Sequence, residues 1–233
     1  MRNTLLVPGL CVSIVMLLPS HSTAQACVCA PGGEGSFSVA PAYQYQHYDF
    51  GGNLNGYGLD ATLNLPGRWG LEGGYAYWDA SGLDLRENRL RARPSLEVVR
   101  HGGGSVCLVA GAEYGWFKPI TVQLDPQGVA TTSSHEWILP AGLGFGFRGG
   151  RASGSTFTVY TIPQALFVRG EGRTQIPAQG LDVSAAYHTN ELGVETGARL
   201  RHGPLFGGVS WLHTTWSALP NVWTLTVGYV HGR

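Results

Sequence analysis

The chain has 233 residues with 15 basic and 15 acidic side chains, so its formal charge is zero and only 13% of its residues are charged. A soluble globular domain carries about 25% charged residues. With 35 glycines, 11% aromatics and 43% hydrophobic residues, the chain is too apolar for intrinsic disorder and too neutral for a nucleic-acid footprint. Its length suits a single all-β barrel domain.

Residues 1–26 read as a secretory signal peptide. Arg2 supplies the positive n-region, residues 5–18 the apolar stretch, and Ala24-Gln25-Ala26 the small-x-small cleavage site. Pro8 and Gly9 interrupt the apolar run, which is also shorter than the roughly 20 residues of a membrane-spanning helix. Cleavage would leave a short periplasmic segment, residues 27–35, opening Cys27-Val28-Cys29. The Ala-Gln-Ala before Cys27 lacks the aliphatic residue expected upstream of a lipidated cysteine, so lipidation is not expected. Cys27, Cys29 and Cys107 are an odd number in an oxidising compartment, and their spacing implies no disulfide framework.

From residue 36 to 233 the dominant signal is period-2 alternation, because successive strand residues point to opposite faces. Tyr57, Leu59, Ala61, Leu63 and Leu65 alternate with Gly58, Asp60, Thr62 and Asn64. The pattern recurs through Trp69–Tyr77, Leu90–Val98, Leu108–Trp116, Trp137–Phe147, Leu192–Leu200 and Trp223–Tyr229, with weaker forms at 36–48, 156–168 and 205–214. This predicts ten strands, or eight if two weak segments are loop. The connections near 66–68, 101–104, 149–155 and 202–204 are short; those near 49–55, 79–88, 118–134, 169–187 and 215–221 are longer and more polar. An even count with short turns at one end and long loops at the other predicts an all-β, antiparallel, up-and-down transmembrane barrel of the outer membrane, with both termini on the periplasmic side.

The apolar phase sorts its aromatics by height. Tyr45, Tyr57, Tyr77, Trp116, Trp137 and Trp223 fall at the long-loop end of their strands. Phe37, Trp69, Phe147, Phe157 and Tyr229 fall at the short-turn end, with Leu, Ala and Val between. Two aromatic girdles around an aliphatic belt suit membrane lipid, since Trp and Tyr prefer the headgroup level. The opposite phase carries glycine and charge, and the expected luminal network is Glu72, Arg91, Arg93, Glu97, Glu113, Glu195 and Arg199. Charges inside a narrow barrel must pair.

With the closing strand Trp223-Thr224-Leu225-Thr226-Val227-Gly228-Tyr229-Val230, the pattern resembles the small outer-membrane β-barrel (opacity/porin-like) superfamily over residues 36–233. The resemblance implies outer-membrane lipids and the barrel-assembly machinery as partners. It also implies a terminal aromatic signal, although this chain ends His231-Gly232-Arg233 with Tyr229 as its last aromatic residue. Gly144-x-Gly146-x-x-Gly149 matches a dinucleotide fingerprint by letters only, because no helix follows it. No metal or nucleotide motif is present and no cofactor or catalytic residue is assigned, although His47, His135, His188 and His213 fall near the outer rim with Asp49 and Asp79. The expected function is a non-enzymatic structural or surface-interaction role, with an extracellular ligand at the loops near 118–135 and 169–187. A narrow channel, an outer-membrane enzyme and a secreted soluble barrel are the alternatives.

Overall fold

The computed structural model describes residues 35–47, 53–80, 85–124, 128–150, 154–215 and 221–232. The expected signal peptide, nearly all of the 27–35 segment, and Asp49 lie outside them. Ten strands form one closed antiparallel ring. They are β1 (Phe37–His47), β2 (Asn53–Leu65), β3 (Trp69–Ala80), β4 (Leu85–His101), β5 in three pieces (Gly104–Ala110, Ala112–Phe117 and Ile120–Leu124), β6 (Gly128–Gly150), β7 (Ser155–Ile176), β8 (Leu181–His202), β9 (Leu205–Thr214) and β10 (Asn221–His231). Each strand pairs with its sequence neighbours. The pairing Phe37↔His231 through His47↔Asn221 joins β1 to β10 and closes the ring. In hydrocarbon this closure is obligatory, since lipid cannot satisfy the polar groups of a sheet edge.

The periplasmic connections are tight. Pro66–Arg68 forms a 3-10 turn, and Gly102 and Gly203 take positive φ between β4 and β5 and between β8 and β9. The first break in β5, at Gly111, has a local cause. Gly111 falls opposite Arg93 of β4 and Pro140 of β6, and Pro94 falls opposite the adjoining Ala110; neither proline has an N–H to give the ladder.

Burial follows the alternation read from the sequence. Along β1 every second residue from Ser38 to Gln46 is buried, while Phe37, Val39 and Tyr43 face outward. The outward surface carries Leu59, Leu63, Leu71, Leu90, Leu108, Leu139, Leu143, Leu192, Leu200, Val209 and Leu225, all substantially exposed. Such a continuous apolar girdle around a closed barrel is a lipid-facing surface.

Three expectations are corrected. The segments 118–135 and 169–187 are not loops. The last piece of β5 pairs with β6 from Ile120↔Thr132 to Leu124↔Gly128, and β7 and β8 pair without interruption up to Ile176↔Leu181, where Pro177–Gln179 turns the chain. Their Thr, Val and Tyr residues favour strand, and polarity marks their exposure to water rather than irregular backbone. Second, a β-bulge between Glu97 and Val99 shifts the phase of β4, so that Val98 and Val99 both face out and Arg100 joins the luminal side. Third, Cys107, buried in the lumen wall, is disulfide-bonded, and its partner lies outside the described residues.

Leu63→Arg or Leu139→Arg, placing a charge on positions 37% and 45% exposed on the lipid side, should each cost about 2–4 kcal/mol in a refolding titration into bilayers. Luminal Thr226→Ser should change little. Protease added to intact cells should cut first at the 177–180 turn, and cleavage confined to 66–68 or 203–204 would invert the orientation.

Candidate functional site

Strand β4 is the spine of the lumen. Its inward phase presents Glu87, Arg89, Arg91, Arg93, Ser95 and Glu97 in succession, and neighbouring strands supply the opposing acids. Register places Glu72 of β3 opposite Arg93 and Glu113 of β5 opposite Arg91. Arg93 donates from Nη2 to Glu72 Oε2 at 3.0 Å and from Nη1 to Glu195 Oε2 at 2.5 Å, bridging the lumen to β8. Arg91 Nη2 lies 2.8 Å from Asp60 Oδ1 and 3.2 Å from Glu72 Oε1. Arg89 donates from Nε and Nη2 to Glu87 Oε1 at 2.9 and 2.6 Å, from Nη2 also to Glu136, and reaches Glu113 only at 3.5 Å. Tyr160 donates its hydroxyl to Glu195 Oε1 at 3.0 Å, and the Arg199 guanidinium lies 5.6 Å from the Tyr160 ring centre.

Glycine makes this crowding feasible. A Cβ on Gly74 would lie 2.7 Å from both Arg91 Nε and Asp60 Oδ1, and one on Gly115 would lie 2.9 Å from Glu87 Oε1. The inward glycines therefore accommodate the charged layer rather than widen a bore.

Of the seven luminal charges expected from the sequence, Glu72, Arg91, Arg93 and Glu195 form the central cluster, with Arg199 joined through Tyr160. Glu113 belongs to the Arg89 group. Glu97 stands apart, paired at 2.5 Å with Arg100, which the bulge turned inward. Asp60, Glu87, Arg89, Glu136 and Tyr160 complete the network. The inward phase already held Asp60 and Arg89, whereas Glu87 fell in the 79–88 segment expected to be a connection and lies instead in β4; only register could place them beside their partners.

Space in the lumen is uneven. Apolar clusters fill its periplasmic half: Cys107, Val109, Tyr160 and Ile162 in one, Ala40, Phe206 and Val230 in another. A gap of about 20 Å³ between Asp60, Arg91, Glu195 and Arg199 has room for one water. Toward the outside a cavity of about 100 Å³ runs from Gln46, Thr214 and Val222 at the mouth down to Arg93 and Glu195.

The outward aromatics form two belts. Tyr45 pairs across strands with Trp223, Trp223 with Trp211, Tyr57 with Tyr43 and Tyr77, and Trp137 with Tyr114, which also stacks on Trp116. The periplasmic belt holds Phe37, Trp69, Phe147, Phe157 and Tyr229, with the Phe147 and Phe157 rings 5.9 Å apart. Tyr43, Tyr75, Tyr114 and Trp211 are girdle members beyond those expected. The rim histidines divide in two. His47 and His213 bond Asn53 and Asn221 at 2.8 and 2.6 Å, whereas His135 and His188 flank Arg169 on the outer surface.

A closed ten-stranded ring with an aliphatic belt, two aromatic girdles and a salt-bridged interior defines a transmembrane β-barrel. Its even strand count, tight turns on the side where β1 begins and β10 ends, and tall hairpins opposite place it in the bacterial outer membrane, in the architecture of the small outer-membrane barrels. No protein-family model matches the chain, and no curated protein does. Among solved structures it is similar to the attachment invasion locus protein Ail of Yersinia pestis, solved with the heparin analogue sucrose octasulfate (13% identity, TM-score 0.39, covering 84% of this chain and 97% of that one). It is also similar to the translocator domain of the autotransporter NalP from Neisseria meningitidis (10%, 0.48, 84% and 88%) and to the KdgM porin (11%, 0.34, 82% and 98%). At such values the barrel's own geometry defines the class.

The cross-lumen pairs should obstruct ion flow. Planar-bilayer recordings of the purified barrel should show no steady openings, and the Arg91→Ala/Arg93→Ala double variant should show them. Arg93→Ala alone should cost about 3–5 kcal/mol of stability, because it leaves Glu72 and Glu195 buried with a shared partner removed. Adding Glu195→Gln should recover part of that loss in a double-mutant cycle.

Proposed function

We propose that this barrel is a non-enzymatic surface-interaction protein whose working part is the β-sheet it raises above the membrane. The supporting observation is a free strand edge. β8 pairs with β7 along its whole length, but β9 covers it only from Gly193 to His202. Residues 181–191 therefore have no described strand on their other side, and 181–188 are exposed throughout. An uncovered edge of this length presents a row of N–H and C=O groups spaced to accept an extended peptide as a further strand.

The sheet is built to hold that edge in place. From Trp137 in the girdle, β6 continues nine residues to Gly128, roughly 30 Å along the strand at about 3.3 Å per residue. Four strand segments stand side by side: 120–124, 128–135, 169–176 and 181–188. Near the tip Arg173 donates two hydrogen bonds to the Asp182 carboxylate, which also accepts from Gln175 at 3.2 Å. The Arg173 and Gln175 hydrogen bonds hold the Asp182 carboxyl at about 2, below the ordinary 3.8, so the charged form that ties the tip together persists at every physiological pH. Exposed Val122, Val129, Leu181 and Val183 provide apolar footholds beside the edge. Ail, one of the similar structures, was solved with a sulfated sugar analogue; the surface on this chain favours a peptide, because its unsatisfied groups are backbone rather than cationic.

Bacteria displaying the intact chain should adhere to surfaces coated with extracellular proteins several-fold better than bacteria displaying a variant with residues 172–185 replaced by Asn-Gly. The trimmed barrel should still migrate as a folded, heat-modifiable species on gels. Equal adhesion by the two would overturn this reading.

A further inference from the structure

Above the membrane the four side-by-side strand segments form a sheet with two unlike faces. One face continues the luminal side. Tyr187 donates its hydroxyl to luminal Glu136 at 3.0 Å, and the hydroxyls of Thr132 and Thr174 meet at 3.1 Å on the same side. Register and period 2 then place Ile120, Val122, Ala130, Leu181, Val183 and Ala185 on this face, above the mouth of the lumen. The opposite face carries the Arg173–Asp182 ion pair with Thr131, Ser133, Gln175 and Ser184, and among the described residues Val129 is its one large apolar side chain.

The first of these faces is apolar yet open. Val122 and Val183 are each 51% exposed and Leu181 is 42% exposed. It stands above the girdle and turns toward the barrel axis, so lipid does not cover it. The two faces meet at the free edge of β8, where Leu181, Val183, Ala185 and Tyr187 alternate with Asp182, Ser184, Ala186 and His188. A dip interrupts the apolar column. Ala185 lies opposite Gly172, on which a Cβ would meet nothing within 4 Å, whereas the Tyr187 ring already covers Gly170. Room for one large side chain thus opens beside the edge, over Ala185 and Gly172.

We infer that the ligand of this edge is an extended peptide in which apolar and polar side chains alternate. Its apolar set turns toward the barrel axis, and its bulkiest member, aromatic or long aliphatic, sits over Ala185 and Gly172. This rests on the edge reading above and adds the partner's sequence class. A strand added at the edge inherits the faces of the sheet, because cross-strand neighbours share a side. Its apolar residues gain cover beside Leu181, Val183 and Tyr187, and its polar residues meet water beside Ser184 and His188. A slip of one residue exchanges the two sets, so the contrast between faces selects both the sequence pattern and its register. An all-polar peptide satisfies the same backbone groups and leaves the apolar column bare.

The test uses the full barrel in lipid nanodiscs and reads the anisotropy of dye-labelled peptides. One peptide is Thr-Val-Ser-Val-Thr-Phe-Ser-Val-Thr between solubilising lysines, and its twin has the same residues reordered so that apolar positions fall in both phases. The alternating peptide should bind at least about tenfold tighter, as expected when several cross-strand pairs each supply a fraction of a tenfold step. Val183→Thr keeps a strand-forming side chain and should erase most of that preference, while Ser184→Thr on the other face should leave it intact. Ala185→Leu fills the dip and should weaken the Phe peptide several-fold more than a version with Ala in its place. Methylating every second amide nitrogen of the alternating peptide tests the edge itself: one phase should abolish binding and the other should not. Equal binding by the twins, an unchanged preference in a folded Val183→Thr barrel, or an equal effect of Ala185→Leu on the Phe and Ala peptides would overturn the inference. With the methylation contrast intact, the edge reading would survive that result. Binding indifferent to methylation in both phases, or no binding by any peptide, would overturn the edge reading and this inference with it.

Discussion

Everything in this molecule follows from the requirement that no backbone polar group meet hydrocarbon. The β1–β10 pairing meets it by closing the ring, and closure fixes the strand count and with it the width of the interior. Ten strands lie nearer the roughly eight-stranded barrels that side chains fill than the 16–18-stranded barrels that leave an aqueous channel. The chain fills the lumen with long side chains from one strand, Arg89, Arg91 and Arg93, held by carboxylates from β2, β3, β5, β6 and β8. Because Arg93 joins residues 102 positions apart in sequence, the layer also braces walls that the hydrogen-bond ladder connects only around the circumference.

Such a layer is a specificity device more than a source of net stability. Desolvating several ions costs energy that their mutual attraction recovers only with good geometry and full hydrogen bonding. That geometry depends on backbone choices, above all glycine at 74 and 115, where any side chain would occupy the space of a guanidinium or carboxylate. A register slip of one residue would turn Arg89, Arg91 and Arg93 toward lipid, so the network defines the register strongly. Beneath it, apolar clusters together with the Glu97–Arg100 pair and the buried Arg148 fill the periplasmic half, and the larger cavity lies in the outer half.

The strands, their facing and the two girdles were legible because period 2 is local: Leu139 faces lipid for the same reason that Leu63 does. Partners were not legible, since a pair such as Arg93 with Glu195 depends on register summed over many strands. Arg100 was assigned no luminal place because one extra residue at the Glu97–Val99 bulge reverses the phase, and alternation carries no mark of a bulge in advance. The tall hairpins read as loops for a different reason. Outside the bilayer both faces of a strand meet water, so Thr131, Thr132, Ser133 and Ser134 lose the apolar half of the pattern while keeping extended backbone. The Cys107 disulfide escaped because cysteine spacing does not reveal spatial proximity.

The two ends of the barrel therefore answer to different physics. On the periplasmic side the described turns, at 66–68, 102–103 and 203–204, end the strands within two or three residues, and they offer little surface. On the outer side β6, β7 and β8 continue well beyond the girdle, where lipid no longer enforces closure, and among the described residues the sheet there has two edges. Natural sheets blunt such edges with lysine, proline or bulges. Along residues 181–191 there is no lysine and no proline, the backbone pairs in unbroken register with β7, and the single charge near the tip, Asp182, is engaged by Arg173. An edge so regular and so unprotected would be an aggregation hazard on a free-standing domain. Anchored in a membrane, it is oriented outward and kept at a fixed height, and neighbouring barrels cannot rotate out of the plane to meet it face to face. The membrane thus tolerates an open strand edge that a soluble sheet of the same sequence would have to conceal.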